Sequence, residues 1–347
     1  MRWLLRALAN LAAPMDLITG GTGLIGVHLL HACTAAGERI RALYRRGSDR
    51  GIVEKVFRHY GLDPGQLMRI EWVEGDMHDM ESLKAAMAGI DRVYHAAAMV
   101  SFAPGARREL FRVNTQGTAN VVNAALLMGI QRICHVSSTA AIGQAPAHVD
   151  RDESLSWSSD RHTSPYAASK YEAELEVYRG MAEGLDAVIV NPCVVIGPGI
   201  PGRSTMTLLE KLRKGTRFYP PGSNAVVDAR DVAQCMRALM ERGESGGRYL
   251  LVGENISYKD LFSQASEVMG TSPPRHRIPP WTLQIAWRLE WMRYLFGGAP
   301  LVTRHTVHSA IIHRRYSNAK VRALLGLEFR DARETLENMA HFFKGHA

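Results

Sequence analysis

Apolar residues along the chain form short continuous runs, and these alternate with longer stretches in which apolar positions recur every three or four residues. The runs predict seven strands: "MDLITG", "RIRALYR", "IEWVEGD", "DRVYHAA", "RICHVSS", "DAVIVNP" and "GRYLLVG". Stretches such as "MESLKAAMAG" and "ELFRVNTQGTANVVNAALLMG" predict helices between them. This alternation is typical of an α/β fold with a doubly wound parallel sheet, in which ligands bind at the carboxyl ends of the strands.

The stretch "LITGGTGLIGVHLL" places four glycines within seven residues, between a predicted strand and a predicted helix. Glycine loses more backbone entropy on folding than other residues, so this density indicates a backbone that needs glycine. The spacing fits both Gly21-x-Gly23-x-x-Gly26 and Gly20-x-x-Gly23-x-x-Gly26. Such a loop lets a pyrophosphate approach the backbone at the positive N-terminus of the helix. We therefore predict a dinucleotide site.

The alternation loosens after Pro192, where Pro- and Gly-rich connections such as "GPGIPG" and "TSPPRHRIPP" join separate helices. A Rossmann-type dinucleotide-binding domain with a smaller, mostly C-terminal substrate-binding lobe is therefore predicted. The predicted parts are an N-terminal extension at residues 1–14, the Rossmann domain at residues 15–192 with a return of the chain near residues 225–255, and the lobe at residues 193–224 and 256–347.

The first fourteen residues, "MRWLLRALANLAAP", look like a short signal peptide, but Arg6 and Asn10 interrupt the apolar run. Met15 then opens the first strand, so we expect an extension outside the fold that arises from an upstream start codon. The alternative is a helix on a membrane surface. No segment is long and apolar enough to be predicted to span a membrane, and "WTLQIAWRLEWMRYLFGG" from Trp281 predicts an amphipathic helix.

The composition fits a folded enzyme, because 46% of the 347 residues are hydrophobic and 22% are charged. The net charge is +8, but Lys and Arg are spread along the chain, so nucleic-acid binding is not predicted. Four isolated cysteines favour a reducing, cytoplasmic location over a disulfide or zinc framework. The cysteines are Cys33, Cys134, Cys193 and Cys235. No metal site is predicted, since the histidines lack a matching set of carboxylate or cysteine ligands. The histidines considered are His95, His135, His305, His308 and His313.

A candidate catalytic set lies at the ends of the fourth to sixth predicted strands. "SPYAASKYEAELEVY" carries Tyr166 and Lys170 at positions i and i+4, which places them on one face of a helix. A nearby ammonium favours the ionised form of a phenol, so we expect Lys170 to lower the pKa of Tyr166. Tyr166 would then exchange a proton with a carbonyl oxygen while a hydride moves, and Ser138 in "HVSSTAAIG" would hold that oxygen.

Several motifs together resemble the extended short-chain dehydrogenase/reductases, also called the NAD-dependent epimerase/dehydratase family. The motifs are "TGGTGLIG", "EGDMHD", "YHAAA", "VNTQGTANVV", "VSSTAAIG", "YAASK", "NPCVVIGPG" and "VVDARDVA". The resemblance extends from about Met15 to the C-terminus. It implies a homodimer, because two helices with long apolar faces, "VVNAALLMG" and "YAASKYEAELEVY", pair across a two-fold axis in such enzymes.

The resemblance also implies roles for individual residues. Asn114 would support the active-site helix, although from the residues alone Asn114 and Asp76 are equally capping or turn residues. The implied catalytic residues are Ser138, Tyr166, Lys170 and Asn114. The implied cofactor-binding residues are Gly20, Thr22, Gly23, Leu24, Ile25 and Gly26 in the loop, Asp76 and Met77 near the adenine, Ala96, Ala97 and Ala98 beside the cofactor, Tyr166 and Lys170, and Pro192, Val194 and Val195 at the nicotinamide.

The second predicted strand ends in "ALYRRGSDR". A NAD site of this type places an acid about 20 residues beyond the glycine loop, where it holds the ribose 2′-hydroxyl. Here Arg45 and Arg46 occupy the tip, and guanidinium groups bind phosphate bidentately. We therefore predict NADP(H) as the cofactor. NAD remains the alternative, because Asp49 is close in the sequence.

The reaction type follows from substitutions within these motifs. Ala140 and Ala141 stand where 4,6-dehydratases of this family carry an Asp-Glu pair, and "VNPCVVIGPG" resembles dihydroflavonol-reductase-like and 3β-hydroxysteroid-dehydrogenase-like members. We predict NADPH-dependent reduction of a largely apolar aldehyde or ketone. The alternatives are a nucleotide-sugar epimerase, since Arg230 resembles a substrate-phosphate position, and a non-catalytic dinucleotide-binding protein. The predicted substrate-pocket residues are Met99, Phe102, Thr139 and Arg230, with the aromatic helix from Trp281.

Overall fold

The structure, a computed structural model, describes residues 15–61, 63–146, 149–295 and 302–345. The predicted extension, residues 1–14, lies outside the described residues. The described strands are β1 (Asp16–Thr19), β2 (Ile40–Tyr44), β3 (Ile70–Glu74), β4 (Arg92–His95), β5 (Arg132–Val136), β6 (Asp186–Pro192), β7 (Val194–Ile196), β8 (Phe218–Tyr219), β9 (Ser223–Asp228), β10 (Arg248–Leu251), β11 (Glu254–Ser257) and β12 (His276–Arg277).

Helices connect and cover these strands. They are α1 (Leu24–Ala35), α2 (Gly51–His59), α3 (Pro64–Met68), α4 (Met80–Met87), α5 (Arg107–Leu110), α6 (Gly117–Met128), α7 (Pro165–Ala182), α8 (Ser204–Arg213), α9 (Ala229–Arg242), α10 (Tyr258–Val268), α11 (Pro280–Leu295), α12 (Arg304–Ile311), α13 (Ala319–Leu325) and α14 (Ala332–Gly345). A π-helical stretch, Phe111–Gln116, joins α5 to α6, and a 3₁₀ turn, Thr139–Ala141, follows β5. Among the described helices, none is both long and apolar enough to cross a bilayer.

Seven strands form one parallel sheet in the order β3-β2-β1-β4-β5-β6-β10. All seven strands predicted from the apolar runs are in this sheet, so the predicted α/β class with a doubly wound sheet is confirmed. Helices α1, α2, α9 and α13 contribute buried side chains to the core on one face, and α4, α6 and α7 to the core on the other. Continuous apolar strands suit such a sheet because both of its faces are buried.

The C-terminal lobe has small sheets that the apolar pattern did not reveal. Strand β9 pairs in parallel with β7 and antiparallel with β11, and β8 pairs in parallel with β12. A separate apolar core joins these strands to α8, α10 and α14. The chain returns to the large sheet through β10, while α9 packs against α1. This arrangement places the carboxyl ends of β4, β5 and β6 opposite the lobe.

Two buried histidines make the fold sensitive to acid. His28 hydrogen-bonds the Leu24 carbonyl oxygen at 2.8 Å, and His95 contacts the Thr19 hydroxyl oxygen at 2.7 Å. Burial lowers the pKa of His28 to about 4 and the pKa of His95 to about 3. Unfolding exposes both rings to water, where the pKa is about 6.5. The unfolded chain therefore binds more protons between these values, and the folded state loses stability as the pH falls below about 6.5.

We expect each of these histidines to lower the free energy of unfolding by about 2 kcal/mol between about pH 6.5 and pH 5. Urea unfolding followed by circular dichroism at several pH values measures this loss. The variant His28→Gln removes one titrating ring, so its stability should depend less steeply on pH than that of the parent protein. Identical slopes for the two proteins would contradict the assignment of His28.

Candidate active site

The glycine loop between β1 and α1 uses three of its four glycines for close contacts. Gly20 has a φ of +74°, and a Cβ atom there would lie 2.7 Å from the backbone of Ala97. A Cβ on Gly26 would lie 2.1 Å from the Gly20 carbonyl oxygen, which also accepts the Gly23 amide at 2.9 Å. A Cβ on Gly21 would meet side chains and no backbone, the end of Leu30 at 3.1 Å and Ala42 at 3.5 Å. The structure therefore uses the Gly20-x-x-Gly23-x-x-Gly26 spacing.

Helix α1 begins at Leu24 with Gly23 as its N-cap, and no side chain caps the helix there. The amide groups of the first turn have no carbonyl partner within the helix, so they can donate to phosphate oxygens. Gly23 is exposed and Thr22 is half-buried, so a ligand can reach the loop. A side chain on Gly20 or Gly26 would destroy this backbone cradle, and the cradle fits the pyrophosphate of a dinucleotide.

The residues implied to surround the cofactor follow strands next to this loop. Ala96 donates its amide to the Thr19 carbonyl oxygen at 3.2 Å, which holds the end of β4 beside β1. The Asp76 carboxylate accepts a hydrogen bond from the His78 amide at 2.9 Å. Asp76 therefore acts as a turn residue, which is the alternative interpretation from its residue type alone. Met77 is buried, and its carbonyl accepts from Asn120. Ala97 and Ala98 follow β4, and Pro192 ends β6 of the same sheet, whereas Val194 and Val195 lie in β7 of the small three-stranded sheet.

The tip of β2 is basic and open to solvent. Arg45 and Arg46 are exposed, and within the described part of the chain no carboxylate forms an ion pair with either guanidinium. The Asp49 carboxylate instead accepts the Gly51 amide at 2.9 Å at the start of α2. Arg50 lies over the Tyr44 ring, with its guanidinium carbon 4.5 Å from the ring centre. The two arginines therefore present unpaired positive charge beside the cofactor edge.

Tyr166 and Ser138 meet between α7 and the 3₁₀ turn. Ser164 caps α7 by accepting the Ala167 amide at 3.1 Å, and this places Tyr166 in the first turn of the helix. Burial raises the pKa of Tyr166, and the hydrogen bond from Ser138 opposes that shift. The Ser138 hydroxyl oxygen also accepts the Ala140 amide at 3.1 Å, which leaves its proton free to point at the phenol. In the protein alone, Tyr166 is a neutral phenol at neutral pH.

Lys170 does not act on Tyr166 in the way that the sequence suggested. Its ammonium group donates to the Val136 carbonyl oxygen at 2.7 Å, and burial lowers the pKa of Lys170 to about 8. The pKa of Tyr166 is raised rather than lowered, so the prediction that the ammonium ionises the phenol is wrong for the protein alone. The physical reason is desolvation of the phenol by burial, which is opposed by the Ser138 hydrogen bond and not by Lys170.

A buried polar network lies behind Lys170 that the sequence analysis missed. Glu174 is fully buried one helical turn further along α7, and its negative charge favours the charged form of Lys170. The Glu174 carboxylate accepts from the Asn191 amide at 2.6 Å and from Arg248 at 3.4 Å. Asn191 also donates to the Ser138 carbonyl oxygen at 3.0 Å. The network thus ties Lys170 and Ser138 to β6 and β10.

Asn114 lies within the π-helical stretch and bonds in two directions. Its amide donates to the Ser169 hydroxyl on α7 at 3.0 Å, and its side-chain oxygen accepts the Met99 amide at 2.7 Å. A second bond runs from the Asn114 amide to the Met99 carbonyl oxygen at 3.0 Å. The extra residue of a π turn often re-aims a side chain at a functional site. Here it holds the loop after β4 against the helix that carries Tyr166.

A cavity of about 330 Å³ lies beside this constellation. The Phe102 ring packs edge-on against the Tyr166 ring with centres 5.6 Å apart, and Pro165 joins it in the wall. Trp287 and Trp291 of α11 also line the cavity. The remaining lining residues are Ser101, Ala103, Pro104, Gly105, Arg107, Val302, Thr303, Arg304 and His305.

Three of the predicted pocket residues do not line this cavity. Met99 is held by Asn114, and Thr139 hydrogen-bonds Tyr316. Arg230 forms a two-bond ion pair with Asp228 at 2.9 and 2.6 Å, so its guanidinium is engaged away from Tyr166. Phe102 is the predicted pocket residue that the cavity includes.

The glycine loop, the Ser138-Tyr166-Lys170 set and the parallel sheet together define a nicotinamide-dependent oxidoreductase. Residues 17–253 match the NAD dependent epimerase/dehydratase family, and the chain belongs to that family. The resemblance noted from the motifs is thereby confirmed.

Individual relatives agree with this assignment. The chain is 31% identical over 333 residues to "Sterol demethylase protein B" of Methylococcus capsulatus, covering 94% of this chain and 98% of that protein. It is 30% identical over 267 residues to "Cinnamoyl-CoA reductase 1" of Oryza sativa, covering 74% of this chain and 76% of that protein. The crystal structure of gox2253 has a similar fold, with a TM-score of 0.80, 30% identity and coverage of 96% and 98% of the two chains.

Proposed function

We propose that the protein reduces a largely apolar aldehyde or ketone with NADPH. The observation that carries this proposal is the cavity beside Tyr166, where Phe102, Trp287 and Trp291 give an aromatic lining and Arg107, Arg304 and His305 complete the wall. Aromatic walls bind apolar groups, whereas a sugar nucleotide needs several fixed polar partners. The name of the rice relative, a cinnamoyl-CoA reductase, describes reduction of an aromatic acyl thioester, and it supports an aromatic group next to the reacting carbonyl.

The residues of the site fit proton transfer to a carbonyl oxygen. Bound NADPH would supply the hydride. Tyr166, a neutral phenol because burial raises its pKa, would donate its proton to the developing alkoxide. Ser138, whose hydroxyl bonds the phenol in the protein alone, would turn its single proton to the same substrate oxygen. Lys170, whose ammonium donates to the Val136 carbonyl oxygen in the protein alone, would hold the ribose of the nicotinamide.

The preference for NADPH rests on Arg45 and Arg46. Their exposed guanidinium groups lack carboxylate partners in the described chain and can bind a 2′-phosphate. Asp49, the residue that left NAD open as the alternative, accepts the Gly51 amide instead. The positive tip of β2 therefore favours the phosphorylated dinucleotide.

The two other functions considered have less support. The epimerase hypothesis depended on Arg230 for substrate phosphate, and that guanidinium is paired with Asp228. Ala140 and Ala141 supply no acid or base for dehydration. A non-catalytic role would not require Ser138, Tyr166 and Lys170 to be brought together with a buried carboxylate network.

An assay of purified protein with NADPH and a set of carbonyl compounds tests the proposal. We expect oxidation of NADPH with aryl, terpenoid or steroid-like carbonyls, and a smaller rate with small polar ones. Parallel reactions contain UDP- and GDP-sugars with NAD or NADPH. Interconversion of a sugar nucleotide without net change in the cofactor, together with no reaction of any apolar carbonyl, would establish the epimerase hypothesis instead.

The cavity wall gives a matched pair of tryptophan variants. We expect Trp291→Ala to raise the KM for the best apolar carbonyl about tenfold, because burial of an aromatic group is worth about 1.5 to 3 kcal/mol. Trp281→Ala on the same helix should leave KM unchanged, since Trp281 does not line the cavity. Steady-state kinetics of both variants measures the difference. Equal KM values for them would show that the substrate binds elsewhere.

We also propose a symmetric homodimer formed through α6 and α7. Both helices expose apolar side chains, Leu127 on α6 and Leu175 and Tyr178 on α7. Light scattering at micromolar concentration is expected to give the mass of two chains, and Leu175→Asp is expected to shift it toward one. A monomeric mass for the unmodified protein would contradict the proposal.

A further inference from the structure

Helix α11 carries an apolar face that the rest of the described chain leaves uncovered. Trp281, Ile285 and Leu289 follow one another at intervals of four residues, and Met292 lies on the same side of the helix. Their exposed fractions are 64%, 48%, 56% and 50%. Single exposed apolar residues are ordinary on protein surfaces, but a continuous row along one helix marks an interaction surface.

The surroundings of this helix are strongly basic. Residues 271–320 contain eight Lys or Arg residues and one acidic residue, Glu290, so the net charge of this segment is +7. The net charge of the whole chain is +8. Within this segment Arg293 pairs with Glu290, and Arg315 pairs with Asp150 from outside it. The basic residues nearest to α11 in sequence, Arg275 and Arg277 before it and Arg304 after it, are exposed. A negatively charged surface would complement these exposed arginines.

The details of the helix favour a lipid surface over a folded partner. Three of the six tryptophans of the chain lie in α11, and tryptophan is enriched where protein meets the headgroup region of a bilayer. Arg288 lies within the apolar face, with its guanidinium carbon 4.7 Å from the centre of the Trp287 ring. Such an arginine can extend its charge to a phosphate while its stem stays among apolar groups.

A second copy of the chain fits this surface poorly. A two-fold contact through α11 would bring two segments of net charge +7 together and would place Arg288 near its own copy. Like charges that face each other across an interface cost several kcal/mol. At 16 residues the helix is about 24 Å long, and it suits binding parallel to a membrane surface.

We propose that the exposed face of α11 docks on the surface of an anionic phospholipid bilayer. Trp281, Ile285, Leu289 and Met292 would enter the headgroup and upper acyl region, while the surrounding arginines contact lipid phosphates. Trp287 and Trp291 on the same helix line the cavity beside Tyr166, so docking would place the cavity next to the apolar phase. The docking surface is independent of the reaction proposed above, since it rests on the outer face of the helix and on its charge.

Sedimentation of the full chain with vesicles tests the proposal. We expect binding to mixed phosphatidylcholine and phosphatidylserine vesicles, with much weaker binding to phosphatidylcholine alone and at high salt. The double variant Ile285→Ser with Leu289→Ser should lower the partition coefficient at least tenfold. Arg275→Gln with Arg277→Gln should lower it about thirtyfold on the anionic vesicles, because each basic residue near such a surface contributes about 1 kcal/mol.

A methionine pair supplies the matched control. Met292→Ser should weaken binding several-fold, whereas Met68→Ser, which removes a methionine that is 87% exposed at the end of α3, should have no effect. Unchanged circular dichroism spectra and NADPH affinity show that each variant is folded. The proposal is overturned if the parent protein binds no anionic vesicle, or if the Ile285-Leu289 double variant still binds like the parent, which would assign binding to another part of the chain. It is also overturned if the α11 variants change the mass in light scattering, which would assign the face to a protein contact.

Discussion

Replacing Tyr166 with Phe is expected to lower kcat about 10²-fold to 10⁴-fold while leaving the affinity for NADPH almost unchanged. The variant keeps the aromatic ring that packs against Phe102 and removes the hydroxyl that is bonded to Ser138. Only the proton transfer loses its donor, so binding of the dinucleotide should persist. Steady-state kinetics together with a fluorescence titration of NADPH measures both quantities.

Two further variants make this test specific. Tyr171→Phe removes a phenol from the same helix, where the ring stacks on Trp157, and should behave like the parent protein. Lys170→Ala should damage both turnover and cofactor affinity, because we expect the ammonium to contact the nicotinamide ribose. Full activity of the Tyr166→Phe enzyme would refute the proposed acid.

Replacing both Arg45 and Arg46 with Ala is expected to raise the Kd for NADPH about a hundredfold or more. Each hydrogen bond between a guanidinium and a phosphate is worth about 1.5 to 3 kcal/mol, and only NADPH carries the 2′-phosphate. The Kd for NADH should change by about twofold or less, since the rest of the site is untouched. Isothermal titration with both cofactors measures the two changes.

Arg39→Ala is the matched control for this pair. Arg39 is exposed just before β2, at the amino end of the strand, whereas Arg45 and Arg46 follow its carboxyl end. Its removal changes the net charge without touching the cofactor edge and should leave both affinities unchanged. A parent protein that prefers NADH, or equal weakening of both cofactors in the Arg45-Arg46 variant, would argue against the assigned phosphate site.

The parts of the site that the sequence predicts are those that depend on local spacing. One turn contains Gly20, Gly23 and Gly26. These positions require glycine because a Cβ atom would contact the loop itself or the end of the adjacent strand. Tyr166 and Lys170 are neighbours on one helix face wherever that helix lies. The strands of the large sheet are visible for a similar reason, because each is a short apolar run buried on both faces.

The parts that sequence reasoning missed depend on distant contacts. Glu174 is bonded to Arg248, which lies 74 residues away, and to Asn191 on another strand. Its position four residues after Lys170 was a signal, since an acid there faces the ammonium along the helix. The pKa of Tyr166 depended on the degree of burial, which spacing alone does not give. Strands β7, β9 and β11 pair with partners that are distant in the sequence, and their short runs carry little alternation.

The most direct test of the account follows the hydride itself. NADPH carrying deuterium at the transferred position of C4 is incubated with the protein and the most reactive apolar carbonyl, and the product is analysed by mass spectrometry. The account predicts an alcohol with one deuterium on the former carbonyl carbon for each NADPH oxidised. No deuterated alcohol from any apolar carbonyl, together with a sugar nucleotide that is epimerised while the NADPH concentration stays constant, would contradict it.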